Sequence, residues 1–314
     1  MRTRTKSVHG LVLAGLLALP AWGQANPPQP GTVNYVEGQA SVGNQALNSG
    51  SVGSVEVQGG RILTTQKGKV EILLNPGVFL RVGENSALRM DSPGLANTTM
   101  TLQHGRALLE VAAFYKENDI VMNVDTANVR VTKKGIYDFD GDRGLIRVFN
   151  GKVQVQVGGS DIGVGDGGQF DLRATGKLKA HSFDRNQAKD EFYRWSSLRS
   201  SYLAEANMDA ARTYRGYGPG WYGSGWYWDR WYGAYTWIPG GGYYYSPFGW
   251  GFYSPGFVYA APFYGVGFGG YYRHFGPAYR PFFATRPIAR PYYGVPGGGF
   301  RGAVRGGAIH ARIR

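Results

Sequence analysis

Three aspartates in the stretch DFDGDRG, Asp138, Asp140 and Asp142, stand at alternate positions like the first oxygen ligands of a calcium loop. The rest of such a loop is missing. Its first glycine falls at the fourth position rather than the sixth, and its twelfth residue is Phe149 rather than glutamate. A tight hairpin in which Asp140-Gly141 supplies the positive φ angles accounts better for the stretch. The five histidines, His9, His104, His181, His274 and His310, are isolated, with no pair at the i, i+4 spacing of a metal site. His104 precedes Gly105 and reads as a solvated turn residue. There is no cysteine and no G-x-S-x-G nucleophile turn. The glycine runs Gly240–Gly242 and Gly297–Gly299 lack the strand-loop-helix context and following lysine of a phosphate cradle. No catalytic, metal-binding or cofactor-binding residue is assigned, and the chain is expected to be non-enzymatic. A hydrolase would need a carboxylate cluster or a Ser-His pair assembled only by the fold.

The other chemistry on offer is that of rings and guanidinium groups. Residues 213–314 hold 32 of the 46 aromatic residues, 24 of the 50 glycines, 10 arginines, no lysine and one carboxylate, Asp229. Of the net charge of +13, this segment carries +9, whereas residues 26–212 carry +1. Trp221, Trp226, Trp228, Trp231, Trp237 and Trp250 are the candidate partner- or carbohydrate-contact residues. Such rings stack on sugars, cohere with arginine by cation–π attraction, or accompany arginine at anionic lipid head groups. A nucleic-acid partner is not expected, because the arginines are dilute and the chain reads as exported. The alternative is that the rings wrap the rest of the protein and need no partner.

These residues must be positioned by three kinds of segment. Arg2, Arg4 and Lys6 precede an apolar run, Leu11–Trp22, and a small-residue end at Ala25, so residues 1–25 read as a signal peptide. With that leader removed, the protein is not expected to be integral to a membrane. Residues 26–30, NPPQP, read as a linker. From residue 31 to 183 short alternating runs such as Val153, Val155 and Val157 are punctuated by turn signals at Asn75-Pro76-Gly77, Asn150-Gly151 and Gly158-Gly159. That spacing predicts an all-β body, a sandwich, barrel or solenoid. Over residues 184–212, Phe192, Trp195, Leu198, Tyr202, Ala206 and Ala210 recur at steps of three and four, which predicts one packed amphipathic helix. Asp184 with Gln187 resembles its capping box. Residues 213–272 are ring-dense, lack an aliphatic core and are expected to be largely irregular with partial order, while residues 273–314 are rich in arginine, glycine and proline and read as disordered.

The β body resembles a FecR domain, the module named for regulators of iron-citrate transport. The ordered pieces are GTVNYVEGQASV (31–42) with a Glu-Gly turn, GGRILTTQKGKVEILLNPGVFLRVGENSALRM (59–90), MTLQHGRALLEV (100–111), VDTANVRVTKKGIYDFD through LIRVFNGKVQVQ (124–156), and VGDGGQF (164–170). The resemblance implies a β-rich module of the periplasm that contacts a ligand or partner. The family usually places Gly-Thr where this chain has Gly135-Ile136. Family regulators also carry a cytoplasmic segment that grips a sigma factor and a membrane helix. Neither is recognised in this sequence, so sigma-factor signalling is not carried over.

The expectation is thus an exported bacterial protein of the periplasm or outer envelope, a non-enzymatic scaffold or recognition module with an adhesive aromatic tail. Its partner would be an envelope protein, a polysaccharide or a membrane surface. A second expectation is a periplasmic sensor or regulator acting on a membrane signalling partner of the iron-uptake kind. A third is a cell-wall or polysaccharide-binding protein.

Overall fold

The computed structural model describes residues 28–176 and 178–261. The expected signal peptide and the tail beyond residue 261 lie outside the described residues. Fifteen strands form one sheet: β1 (Val33–Val42), β2 (Gln45–Ala46), β3 (Ile62–Leu73), β4 (Val78–Val82), β5 (Ala87–Pro93), β6 (Asn97–His104), β7 (Arg106–Val111), β8 (Asp119–Val124), β9 (Ala127–Val131), β10 (Gly135–Asp140), β11 (Leu145–Asn150), β12 (Lys152–Val157), β13 (Ser160–Gly165), β14 (Gly168–Asp171) and β15 (His181–Ser182). Then come one helix, α1 (Glu191–Thr213), and two hairpins, β16 (Gly225–Asp229) with β17 (Ala234–Ile238) and β18 (Tyr243–Tyr245) with β19 (Gly251–Tyr253). The body is all-β, as the turn spacing predicts.

Hydrogen bonding runs in the order β13-β12-β9-β8-β6-β5-β3-β4-β7-β10-β11-β14-β15, with β1 added alongside β3. Neighbours are antiparallel except β6 and β8. The long strand β3 serves two partners, pairing with β5 through Ile62–Thr64 and with β4 through Val70–Leu73. One face of this sheet encloses the main core. Alternate residues supply it: Val70 and Ile72 of β3, Val78, Leu80 and Val82 of β4, Ala107, Leu109 and Val111 of β7, Tyr137 and Phe139 of β10. Each such aliphatic side chain contributes about 1.5–3 kcal/mol on burial.

Period-two alternation leads one to expect the opposite face of these strands to meet water. Instead β4, β7 and β10 are buried on both faces except at Arg106. The outward residues of β3, β4 and β7, Leu73 and Phe79 with the following Ala112 and Ala113, pack against Leu203 and Ala204 of α1 and against Trp226, Tyr235, Trp237 and Phe252 of the hairpins. Farther along, Leu108, Ile136 and Phe149 pack with Phe192. Ile136, the departure from the family's usual threonine, is therefore an apolar residue under an apolar cover. Residues 28–261 form one compact unit, so the composition break at residue 213 is not a structural boundary.

Several expectations are corrected in detail. The Glu37-Gly38 pair is not a turn; β1 runs straight through it. Gly38 has φ +67° and sits at a bulge, where a Cβ would lie 2.0 Å from the Lys67 carbonyl oxygen, so the strand passes only because no side chain is there. In DFDGDRG the positive φ belongs to Gly144 rather than to Asp140-Gly141, because the loop between β10 and β11 spans four residues instead of two. The helix starts at Glu191, not at 184. Asp190 caps it, accepting the Tyr193 N–H at 3.1 Å, while Asp184 instead accepts the N–H groups of Asn186 and Gln187 in a preceding turn.

Candidate functional site

The aromatic segment is built on residues buried within the protein. On the outward face of the sheet, Glu71 of β3 lies opposite Arg81 of β4, and Glu110 of β7 lies opposite Phe79. Arg81 donates through Nε to Glu71 Oε2 at 2.9 Å and through Nη1 to Glu110 Oε2 at 2.7 Å. All three side chains are fully buried. From α1, Arg199 Nη2 donates to Glu71 Oε1 at 3.0 Å, and Ser200 Oγ donates to Glu110 Oε1 at 2.7 Å. From the loop after β18, the Ser246 hydroxyl also donates to Glu110 Oε1. Two carboxylates thus meet two guanidinium groups. Burial alone raises the Glu71 carboxyl, but the Arg199 and Arg81 charges, with hydrogen bonds from Arg199 and Asn34, outweigh it and hold Glu71 below the ordinary carboxylate range.

The helix face turned to this cluster is correspondingly polar. Ser196, Arg199, Ser200, Leu203 and Asn207 are buried, whereas Trp195, Leu198 and Tyr202 of the expected apolar stripe are half-buried on its flank. Trp195 has a use there: its indole N–H donates to Glu37 Oε2 at 2.9 Å. Asn207 serves the hairpins, donating to the carbonyls of Trp237 at 2.8 Å and Tyr253 at 3.0 Å and accepting the Tyr253 N–H at 2.8 Å. In effect one side chain acts as a short strand between two hairpin edges. Thr236 Oγ1 donates to the Leu203 carbonyl at 2.5 Å, tying β17 to the helix.

On this base the hairpins sort their rings. Trp226 faces Trp237, and Trp228 faces Tyr235, across β16 and β17. Trp237 is fully buried and Trp226 nearly so; Phe79 of the sheet meets Trp226 edge-on at 5.2 Å. These two are core residues and cannot contact a partner, which corrects that part of the expectation. Trp250 is half-buried, its N–H donating to the Ser197 carbonyl at 3.1 Å. Trp221 is half-buried and stacks on Tyr227 at 5.3 Å. Trp228 and Trp231 remain displayed, at 46% and 77% exposure. The turn that carries Trp231 is fixed by Asp229, whose buried carboxylate accepts the N–H groups of Trp231 at 2.8 Å and Tyr232 at 2.9 Å. Tyr232 Oη donates to Glu205 Oε2 at 2.6 Å. A second displayed group comprises Tyr243, Tyr244 and Tyr245 of β18 with Phe257. The sequence reading did not single out these tyrosines, although the YYY run at 243–245 was their signal.

The remaining chemistry-bearing residues are consumed by the fold. Asp138 accepts from Arg106 Nε at 2.7 Å and Arg147 Nη1 at 3.1 Å; Asp140 accepts the Arg143 N–H at 3.0 Å; Asp142 accepts the Gly105 N–H at 2.8 Å. The three aspartates therefore point to separate donors. His104 is exposed, its Nδ1 lying 3.1 Å from the Asn85 carbonyl oxygen, and His181 is exposed on β15. His9, His274 and His310 lie outside the described residues. A shallow cleft of about 290 Å³ beside the start of α1 is lined by Lys69, Glu84, Arg106, Asp190 and Glu191. Lys69 lies 3.2–3.7 Å from Glu37, Glu84 and Glu191, and Arg106 bonds Asp138 and Asp190, so its charges neutralise one another. Among the described residues no helix is long and apolar enough to cross a membrane, and no group of three or more His, Asp or Glu could hold a metal ion.

No curated protein matches the chain. Among solved structures it is similar to a "putative anti-sigma factor" from Parabacteroides distasonis, at 15% identity and a TM-score of 0.35, over 40% of this chain and 61% of that one. A second structure so described from the same organism gives 14% identity, a TM-score of 0.35 and the same coverage. The similarity thus spans less than two thirds of those proteins. The model of the FecR protein family matches residues 60–154, from just before β3 into β12. Residues 60–154 therefore carry a FecR domain.

Proposed function

We propose that this chain is an exported, non-catalytic recognition module, in which the FecR domain is a rigid base and the aromatic hairpins are the contact surface. One observation carries the reading: Trp228, Trp231 and Tyr243–Tyr245 are displayed on hairpins that buried hydrogen bonds clamp to the helix and sheet. Exposed Trp and Tyr on a pre-ordered frame give contact area at low entropic cost. A non-catalytic role is supported by the buried carboxylates and guanidiniums, which pair with one another and have no access to a substrate. The export in this reading is supported by the leader-like residues 1–25 and by the presence of a FecR domain, a type usually found in the periplasm.

The test is envelope fractionation of the full chain with exposed rings removed. Trp231→Ser combined with Tyr243→Ser and Tyr245→Ser should shift the protein from the envelope to the soluble fraction while its circular dichroism is unchanged. Unaltered fractionation of a folded triple variant overturns the reading.

A second reading is favoured by the FecR domain itself. The module then regulates a membrane signalling partner, and crosslinking in cells should recover one specific membrane protein through the sheet rather than the hairpins. Recovery of none after crosslinking counts against it.

A further inference from the structure

Strand β18 leaves one edge open. Among the described residues it pairs only with β19, and Tyr243, Tyr244 and Tyr245 are all exposed. The phase of that pairing fixes where the backbone groups point. Ser246 N–H donates to the Trp250 carbonyl at 2.7 Å, and Ser254 N–H to the Gly242 carbonyl at 3.0 Å. Bonded and non-bonded pairs alternate in an antiparallel ladder. Tyr244 therefore bonds Phe252, while the N–H and C=O groups of Tyr243 and Tyr245 turn away from β19. Tyr253, opposite Tyr243, likewise turns its groups outward, where Asn207 takes both. On β16 the Tyr222 hydroxyl takes the Trp226 carbonyl at 2.7 Å. Among the described residues no hydrogen bond reaches the corresponding groups of Tyr243 and Tyr245.

An extended strand added along this edge satisfies all four groups. The two residues that offer them flank Tyr244 symmetrically, so a second copy of β18 is its own complement. About a two-fold axis at Tyr244, Tyr243 faces the partner's Tyr245 and exchanges both bonds with it, and Tyr245 does the same with the partner's Tyr243. The rings agree. Tyr243 and Tyr245 lie on one face, 5.7 Å between centres, while Tyr244 meets Trp237 edge-on at 5.1 Å on the other. Pairing sets four phenol rings together, and aromatic cross-strand pairs are favourable. Residues 231–272 carry no charged side chain, and Tyr115, which approaches Tyr244 from another part of the chain, is followed by Lys116 and Glu117 of opposite sign. The edge thus brings no like charge of its own against a second copy. Edge strands are commonly guarded by lysine, proline or a bulge, and β18 has none of these. We propose that the chain forms a two-fold dimer by antiparallel pairing of β18 with β18 of a second copy. The shortness of the edge makes the dimer reversible. The proposal goes beyond the recognition reading and shares with it only the display of these rings.

Sedimentation equilibrium of the purified full chain tests it. The wild type should form dimers by about 100 µM. Tyr243→Lys with Tyr245→Lys sets like charges opposite each other and should weaken dimerisation about tenfold. Tyr243→Glu with Tyr245→Glu should do the same alone and restore dimers when mixed with the lysine variant. Circular dichroism checks that each variant is folded. The register is read independently. The chain has no cysteine, so a single added thiol is unique. Tyr244→Cys faces itself across the axis and should give a disulfide-linked dimer with oxidised glutathione, whereas Tyr243→Cys should give far less. A wild type that stays monomeric, dimers unweakened in the lysine variant, or equal crosslinking from the two cysteine variants overturns the pairing. Envelope fractionation then still decides the recognition reading. Weakened dimers with unaltered fractionation uphold the pairing and overturn the recognition reading alone.

Discussion

Asn34 holds Tyr235 from both sides: its Nδ2 donates to the Tyr235 carbonyl at 3.0 Å, and its Oδ1 accepts the Tyr235 N–H at 2.8 Å. The two residues are 201 positions apart. The first strand of the sheet thereby extends its hydrogen bonding, through a side chain, into the aromatic hairpin. Both residues are buried, so no water replaces the bonds when they are lost.

Asn34→Ala leaves a buried N–H and C=O without partners and should cost about 2–3 kcal/mol. Urea denaturation measures it. A loss below about 0.5 kcal/mol would show that the hairpin is held without this contact.

Arg81→Met leaves Glu110 a buried charge without its cationic partner and Glu71 with Arg199 and Asn34, and should destabilise by about 3–5 kcal/mol. Arg199→Met should cost less, because Glu71 keeps Arg81 and Asn34 as partners. Equal losses in the two variants would contradict the central place of Arg81.

The displayed and buried indoles should separate sharply. Trp237→Ala opens a cavity against Phe252 and Gly77 and should cost about 3–5 kcal/mol. Trp231→Ala should stay within about 0.5 kcal/mol of wild type. Thermal or chemical unfolding of the two variants decides it, and a large loss in Trp231→Ala would mean that this ring is structural.

Acid should weaken the fold through Glu71. Its folded pKa lies below the usual 4.5. Its contribution is therefore present above that value and lost as pH falls through the depressed folded value. Asp190, lowered because the Arg106 hydrogen bond outweighs burial, acts in the same direction at the helix cap. Denaturation curves taken from neutral pH down to about pH 3 should show falling stability, and Glu71→Gln should flatten that fall. An unchanged slope in Glu71→Gln would remove the carboxylate from the explanation.

A chain ending at Arg212 should not fold cooperatively. It loses the rings that cover Leu73 and Phe79 and the Ser246 donor of Glu110. Dye binding to exposed apolar surface and a broad melting transition are the expected signs. A sharp transition matching the full chain would show that the aromatic layer is an accessory.

From the sequence alone came the all-β body, the helix, the ring-dense segment and the family of the domain, because each is written locally: in alternation of period two, in a three-and-four stripe, in composition, and in ordered turn motifs. Arg81 within VFLRV and Glu110 within RALLEV were also visible, as charges inside apolar strands. Their burial was not, because alternation reports the face turned to one core and is silent about a second cover. That cover comes from residues 90 to 201 positions away, such as Ser200 over Glu110 and Tyr235 beside Asn34. Only the tertiary structure decided which tryptophans are core and which are surface. Trp226, Trp228, Trp231 and Trp237 share one hairpin and one composition, and what separates them is what lies against each ring: Phe79 and Phe252 cover Trp226 and Trp237, Trp228 meets Tyr235 at the end of its strand and is half-exposed, and Trp231 stands on the turn in solvent.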